Sequence, residues 1–558
     1  MEAPNGPRII LQFKDWGRIF GLSNTPLRLS SEYEIKDANV SALLGSGRIF
    51  RLPTNADTQI PEEQILFRTA NFPRWALCQD HNVLYELSPS GTTKCPSCRP
   101  NKVAQYEAIR FVRACPKGHL DDVDWKSIVH RSNPSCNGAL LDWKEEGSTL
   151  RDIIIKCRKC SSQATLQDIY NGTWTCSGRF PENDFQEKCD EKASVILRNA
   201  SNLRIPEIIS ALTIPPRVTS LHRLLENSRI LPILASESSW TKSKLISKLK
   251  TAARLIPEIN PITIAEIDRA SEKEILSAIG DVTEPPKLDL TLRDVKEKEF
   301  QALQNAAAHG APARPYPEPQ DFEVDKDAVI KIPISANLTL RVTPVKRLRV
   351  VMAQRGYRRP IRGPTSTVIE TFYRDVQDRW YVGAEVRGEG IFIDLAPGKT
   401  LDLKKSNIRE MWRIEFVKKR NYLFNPVFVW WHTLSHRLIT ALSIDSGYSS
   451  ASIRERVYIA VDRKSDNVYG SVLIYTSQPG GDGTLGGLIA LAPEFSRVLS
   501  AALRNINSCS NDPLCSEQRL NSVRLNGAAC YACSLISETS CEFGNLFLDR
   551  NLLRESVS

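Results

Sequence analysis

The sequence predicts an α+β multidomain protein: a zinc-ribbon-like N-terminal region, a helical and then β-rich middle, and an α/β C-terminal zinc-binding domain. Three observations carry this prediction. The chain has 558 residues, and a single core stops growing at roughly 250–300 residues, so three or four units are expected. Its fourteen cysteines fall in two blocks, nine from Cys78 to Cys189 and five from Cys509 to Cys541, with none between. The hydrophobic pattern changes from helical spacing to strand-like alternation after a stretch rich in Ala and Pro, "AAHGAPARPYPEPQ" (307–320).

Composition narrows the class. An apolar fraction of 41% and a charged fraction of 25% are those of a soluble globular protein. The start, "MEAPNGPRIILQF", lacks the basic segment and long apolar run of a secretory signal, and the most apolar window, "YLFNPVFVWWHTL", is too short to span a bilayer. A cytoplasmic protein without membrane contact is the expectation. In that reducing setting Cys-x-x-Cys spacings point to metal rather than to disulfides. A net charge of +10 points only weakly to a polyanionic partner, because the Lys and Arg are spread widely.

The thiols group by spacing into candidate zinc sites. "CQDH" with "CPSC" offers Cys78 and His81, then Cys95 and Cys98, two short knuckles whose spacers let four ligands reach one tetrahedral ion. The next run suggests a second site of Cys115, His119, His130 and Cys136. "CRKC" and two later thiols suggest a third, of Cys157, Cys160, Cys176 and Cys189. Residues 70–195 thus read as a poorly cored segment held together by metal. The tail supplies Cys509, Cys515, Cys530, Cys533 and Cys541; Cys530 and Cys533 are firm members, and two more come from the remaining three. Counting ligand sets gives about four closed zinc ions per chain.

The remaining pattern divides the chain into an N-terminal segment (1–69), a zinc-binding region with up to three sites (70–196), a mainly helical region (197–306), a linker or loop (307–328), a β-rich basic region (329–420) and a C-terminal cysteine domain (421–558). In the helical region "WTKSKLISKLKTAARLI" sets an apolar stripe against a solvated face of Lys242, Lys244, Lys248 and Lys250. The β-rich region holds the most concentrated positive stretch, with Arg341, Lys346, Arg347, Arg349, Arg355, Arg358, Arg359 and Arg362 and no acidic residue. Guanidinium groups suit phosphate, and Tyr357 among them could stack on a base, so Lys346 to Arg362 are the candidate DNA contacts; a protein interface or an intramolecular acidic partner is the competing reading.

Two motifs fall short of catalysis. His432 and His436 stand four apart on a predicted helix from Asn425, but no Glu follows the first His as a zinc protease requires, so packing histidines are expected. "SVLIYTSQPGGDGTLGGLIAL" reads as strand, glycine loop and helix, yet lacks the Lys-Ser/Thr ending of a nucleotide P-loop, and no Walker A motif occurs elsewhere. A tight turn explains the loop, with a metal-dependent nuclease through Asp482 as the alternative.

Several longer motifs then come together: "RFVRACPKGHLDDVDW", "HTLSHRLITALSIDSGYSSASIRERVY", "LIYTSQPGGDGTLGGL", "CSNDPLC" and "NGAACYACSLISETSCEFGNLFLDRNLL". Over roughly 110–216 and 345–553 the chain resembles the DrmB family, the partner subunit of the DISARM anti-phage system, whose C-terminal cysteine domain is otherwise appended to helicases. The resemblance implies a non-catalytic prokaryotic defence subunit in a heterodimer with DrmA, a helicase-like ATPase, engaging invading DNA. It places the family's cysteine motif on Cys509, Cys515, Cys530, Cys533 and Cys541, and its "CPxGH" on Cys115 and His119. His81 departs from it, standing where a thiol is expected. A pure assembly scaffold without DNA contact is the further alternative.

Overall fold

The computed structural model describes residues 9–11, 31–45, 47–52, 54, 56–57, 61, 69–87, 95–99, 106–138, 140–181, 185–203, 205–213, 225, 230–237, 239–254, 259, 261–272, 275–276, 279, 290–310, 321–335, 337–361, 368–370, 373–374, 379–461, 468–476, 485–521 and 524–557. It is a mixed α+β chain with two compact units interleaved in sequence. The first takes residues 1–35, 47–209 and 353–383, the second 36–46, 210–352 and 384–558. The region expected as one β-rich domain is therefore shared, because the strands Thr339–Arg358 and Arg379–Leu395 each contribute to both units.

The first unit is built from short antiparallel strands. Six of them order as Gln163–Thr165, Ile153–Cys157, Leu141–Glu145, Val83–Glu86, Trp75–Cys78 and Tyr106–Ala108. Four more order as Thr173–Thr175, Lys192–Leu197, Phe111–Ala114 and Leu120–Asp122. The helix Trp125–Val129 starts at Asp124, whose carboxylate accepts the Ser127 N–H, and Trp125 meets Trp143 edge-on at 6.0 Å. Trp75, Leu84, Trp125, Ile128, Leu141, Ile155, Leu166 and Ile169 close around them. The expectation of a poorly cored segment is thus corrected: four tryptophans, Trp75, Trp125, Trp143 and Trp174, and branched aliphatics fill it, since aromatic rings bury large apolar area even beside three- to five-residue strands.

The second unit is a layered core around longer strands. Ile453–Val461 and Val468–Thr476 pair over their full length, and Val468–Thr476 pairs in turn with Arg379–Leu395. Successive side chains point to opposite faces. Val472 and Ile474 therefore join a cluster with Phe428, Trp431, Leu434 and Leu438, while Leu473 and Tyr475 join Phe300, Leu303 and Tyr458 on the other side. Helix Pro426–Asp445 covers the first face. Asn425 caps it by accepting the Val427 N–H at 2.9 Å, proline fills the first turn, and the apolar residues run round most of its circumference, so nearly all of it is buried.

Helix Leu292–His309 covers the second face behind a Thr291–Asp294 capping box. It runs into the segment expected as linker, with Ala306 and Ala307 buried in the core, and Phe322–Val324 is a strand. The rest of that linker, 311–320, lies outside the described residues. Between Leu225 and Ile279 a separate helical cluster packs Trp240, Leu245, Leu249 and Ile267. Among the described residues no helix is long and apolar enough to cross a membrane.

Candidate metal centres

The strand ends of the first unit carry three four-donor clusters. Cys78 closes strand Trp75–Cys78, and the turn into Val83–Glu86 presents His81, with Asn82 in the left-handed region. Cys78 lies 3.7 Å from Cys98, and the His81 Nδ1 lies 3.5 Å from Cys78 and 3.4 Å from Cys98. Cys95 completes the set as the spacing predicts.

The other two clusters regroup the expected ligands. Cys115 and His119 meet Cys176 and Cys189, whereas His130 and Cys136 meet Cys157 and Cys160. Strand pairing makes the exchange. Phe111–Ala114 ends at Cys115 and pairs with Lys192–Leu197, which begins just after Cys189; Thr173–Thr175 pairs with the same strand and ends just before Cys176. Ile153–Cys157 pairs with Leu141–Glu145, which follows the Cys136 loop. Sequence neighbours are thereby separated and sheet neighbours joined.

Secondary contacts orient these donors. The His119 Nδ1 lies 3.2 Å from the Cys115 sulfur, and its Nε2 lies 2.8 Å from Glu187, the carboxylate–imidazole arrangement that fixes a ligating histidine. The His130 Nδ1 donates to the Lys126 carbonyl at 2.7 Å, which leaves its buried Nε2 lone pair without a hydrogen-bond partner beside three thiols. A side chain at Gly138 would run into the sulfur of Cys157, so glycine lets the backbone close against it.

In the second unit Cys509, Cys515, Cys530 and Cys533 form the tail cluster. Cys509 lies 3.4 Å from Cys530, and Cys533 lies 3.7 Å from Cys515 and 3.8 Å from Cys530. Asp512 braces it, accepting the Cys509 N–H and a bidentate pair from the buried Arg550. Cys541 is elsewhere, beside His432, His436 and Glu455. That grouping was missed because its donors come from three distant stretches; the only local signal was the i, i+4 histidine pair on an otherwise apolar helix.

The distances discriminate metal from disulfide. An S–S bond is about 2.05 Å, and every cysteine here is a free thiol. A tetrahedral ion with Zn–S bonds of about 2.3 Å holds sulfurs about 3.8 Å apart, and the sulfur contacts inside the clusters run from 3.4 Å at Cys509–Cys530 to 4.0 Å at Cys136–Cys157. Charge points the same way. Burial alone would raise the Cys78 thiol, but the His81 ring and backbone and the Cys95 and Cys98 thiols bring it down to about 7. Cys98 is pushed up to about 11, by burial and then by Cys78 and Cys95. Cys530 and Cys515 repeat the pattern, one lowered to about 7 and the other driven well up. Thiolates packed this closely repel one another unless a cation neutralises them. The donor sets fit zinc, and with four protein ligands each would be a closed site.

The basic stretch is not a free patch. Lys346 pairs with Asp325 at 2.8 Å, Arg347 with Glu323 at 3.5 Å, Arg355 with Glu370 at 3.2 Å and Arg358 with Glu207 at 2.6 Å. Arg341 is buried against Asp394, and the buried Arg349 reaches Glu385 and Asp37. Arg359, 2% exposed, donates to the Leu203 and Gly118 carbonyls, and Tyr357 is fully buried. The sequence showed no acid within the stretch; its partners come from other strands and the turns beside them. Tyr357 therefore cannot stack on a base, and Arg349 and Arg359 are not available to phosphate. Arg362 and Asp482 lie outside the described residues. After the glycine loop, the N-terminus of the short helix Gly487–Ala490 is taken by the Glu389 carboxylate, which accepts the Leu488 N–H at 2.8 Å where a phosphate would sit.

Comparison with known proteins places the clusters in context. Residues 1–205 match a family described as a domain of unknown function, and residues 434–534 match the MrfA Zn-binding domain. The crystal structure of the DUF1998 helicase MrfA bound to DNA aligns with 36% of this chain and 23% of its own, at 12% identity and a TM-score of 0.19, too low to establish a shared overall fold. The DISARM protein DrmB of Bacillus paralicheniformis is 26% identical over 609 aligned positions, spanning 100% of this chain and 98% of the relative. The chain is thus a zinc-binding protein that resembles the DISARM protein DrmB from end to end and carries an MrfA-type zinc-binding domain near its C-terminus.

Proposed function

We propose that the chain is a non-catalytic subunit of a DISARM-type anti-phage complex in the prokaryotic cytoplasm. It holds a helicase-like ATPase of the DrmA kind as a heterodimer and contributes contacts to invading DNA. The full-length similarity to DrmB supports the defence role. The observation that carries the non-catalytic reading is that all fourteen cysteines, with five of the seven histidines, lie in four-donor clusters. A catalytic zinc keeps a position open for water or substrate, whereas four protein ligands leave none. Zinc held by Cys78, His81, Cys95 and Cys98, by Cys115, His119, Cys176 and Cys189, by His130, Cys136, Cys157 and Cys160, and by Cys509, Cys515, Cys530 and Cys533 would act as scaffold.

For DNA, the geometry narrows the basic stretch to its partly exposed members, Lys346, Arg347, Arg355 and Arg358. Each sits in a half-exposed ion pair, and such pairs contribute about 0–1 kcal/mol, so exchanging a carboxylate for a phosphate costs little. The test is DNA affinity of the chain assembled with its ATPase, measured from 50 to 200 mM salt. Neutralising Lys346 and Arg347 to Ala is expected to weaken binding several-fold and to flatten the salt slope by about two charges. Unchanged affinity and slope in this variant and in the Arg355→Ala, Arg358→Ala variant would leave the assembly scaffold without DNA contact as the reading. DNA cleavage by the purified chain with magnesium or manganese would overturn the non-catalytic assignment.

A further inference from the structure

We propose that His432, His436, Glu455 and Cys541 form a fifth metal site, a fully enclosed position for a divalent transition-metal ion, zinc foremost. The four donor atoms come from helix Pro426–Asp445, strand Ile453–Val461 and the loop at Cys541, and lie within 4.8 Å of one another. His432 and His436 are fully buried, Glu455 is 2% exposed and Cys541 8%. The two Nε2 atoms face each other at 3.1 Å. The Glu455 Oε1 lies 2.8 Å from the first and 3.3 Å from the second, and the Cys541 sulfur lies 3.3 Å from the His432 Nε2.

Counting protons shows why hydrogen bonds alone leave the cluster unsatisfied. The His436 Nδ1 lies 2.7 Å from the Ser534 carbonyl, which can only accept, so in the neutral ring the proton sits there and the Nε2 is a lone pair. A neutral His432 has one proton as well. On Nε2 it serves only one of Glu455, Cys541 and His436; on Nδ1, where the Phe547 backbone can accept it, it leaves both Nε2 lone pairs facing each other with a weak Cys541 S–H as the one donor beside them. Buried polar groups without partners are costly. A divalent cation accepts all four donors at once. With two neutral imidazoles, one carboxylate and one thiolate, the assembly is electrically neutral, the condition an interior site needs.

The surroundings match those of the other clusters. Ser435 donates to the second oxygen of Glu455, and Ser534 holds His436, so the outward atoms of both ligands are fixed and the inward ones are free. The Cys541 sulfur accepts the N–H groups of Phe543 at 3.3 Å and Asn545 at 3.2 Å. The same contact from the residue two positions on is made to Cys136, Cys157, Cys176 and Cys509 in the tetrads. Only His436 and Glu455 fall inside the span that matches the MrfA Zn-binding domain, so the site reaches beyond that span to the first turns of the same helix and to the tail after it.

The full-length protein, purified without chelator, decides the matter. Anomalous difference maps collected above and below the zinc K edge are expected to show a peak among these four side chains in addition to one in each tetrad. Peaks in the tetrads with none here overturn the proposal. Metal analysis provides a second arm: Cys541→Ser should fall from about five to about four ions per chain while keeping its tetrads. An unchanged ion count in folded Cys541→Ser protein overturns the proposal equally, and should that variant not fold, the maps of the unaltered chain stand alone.

Discussion

The two units solve the same problem with different means. In the first, the strands beside the three metal clusters are three to six residues long, and the clusters sit at their ends, where the sheets alone have little length over which to pair. In the second, nine-residue strands are covered on both faces by helices of 18 and 20 residues, and the four-thiol cluster hangs on a tail from 505 to 549 with hardly any regular structure. The contrast teaches where ligation and where burial set stability. A short strand buries too little apolar surface to offset its ordering entropy, so a tetrahedral ion supplies the difference; a long covered strand does not need one.

The largest effect should come from removing metal. Structural zinc is worth about 10–16 kcal/mol in small domains, so a strong chelator should collapse hydrogen-exchange protection across 69–203. In the second unit it should melt the 505–549 tail and loosen the backbone next to Glu455, while Val468–Thr476 stays protected. Uniform loss in both units would break the comparison.

Next comes a buried charge specific to the second unit. Arg456 is 1% exposed and bound by Glu299 at 2.6 and 2.9 Å, with Ser210 and Glu542 alongside. Glu299→Ala removes the carboxylate that binds the guanidinium twice, leaving only Glu542 to balance it, and should cost about 3 kcal/mol in denaturant unfolding of this unit. The first unit's metal content should not change.

The smallest effect probes how finely a first-unit site is tuned. Glu187 touches His119 from an exposed position. Glu187→Gln keeps the hydrogen bond but loses the charge, and competition with a chromophoric chelator should show zinc affinity in that cluster falling about 10-fold or more, with the fold intact. No change would make the contact incidental.

Much of this was legible in one dimension. Cysteine spacing picked out every thiol that the structure gathers into a four-donor cluster and gave the first grouping complete, because two-residue spacers confine both donors to one turn. The helix from Asn425, the alternation beyond the Ala- and Pro-rich stretch and the strand before the glycine loop were equally local, since periodicity acts within a few residues. The remaining ligand sets were not local. Cys115 meets Cys176 and Cys189 through strand register, and the basic stretch met its acids on other strands and turns, through pairings that lie outside the stretch itself. Residue types and short spacings were thus determined by the sequence itself: metal chemistry, two thiol blocks, helix and strand. Which donors share an ion, which arginines are spent inside, and that His432, His436, Glu455 and Cys541 converge were decided only by the tertiary structure, because those choices depend on pairings across a hundred residues that no local pattern encodes.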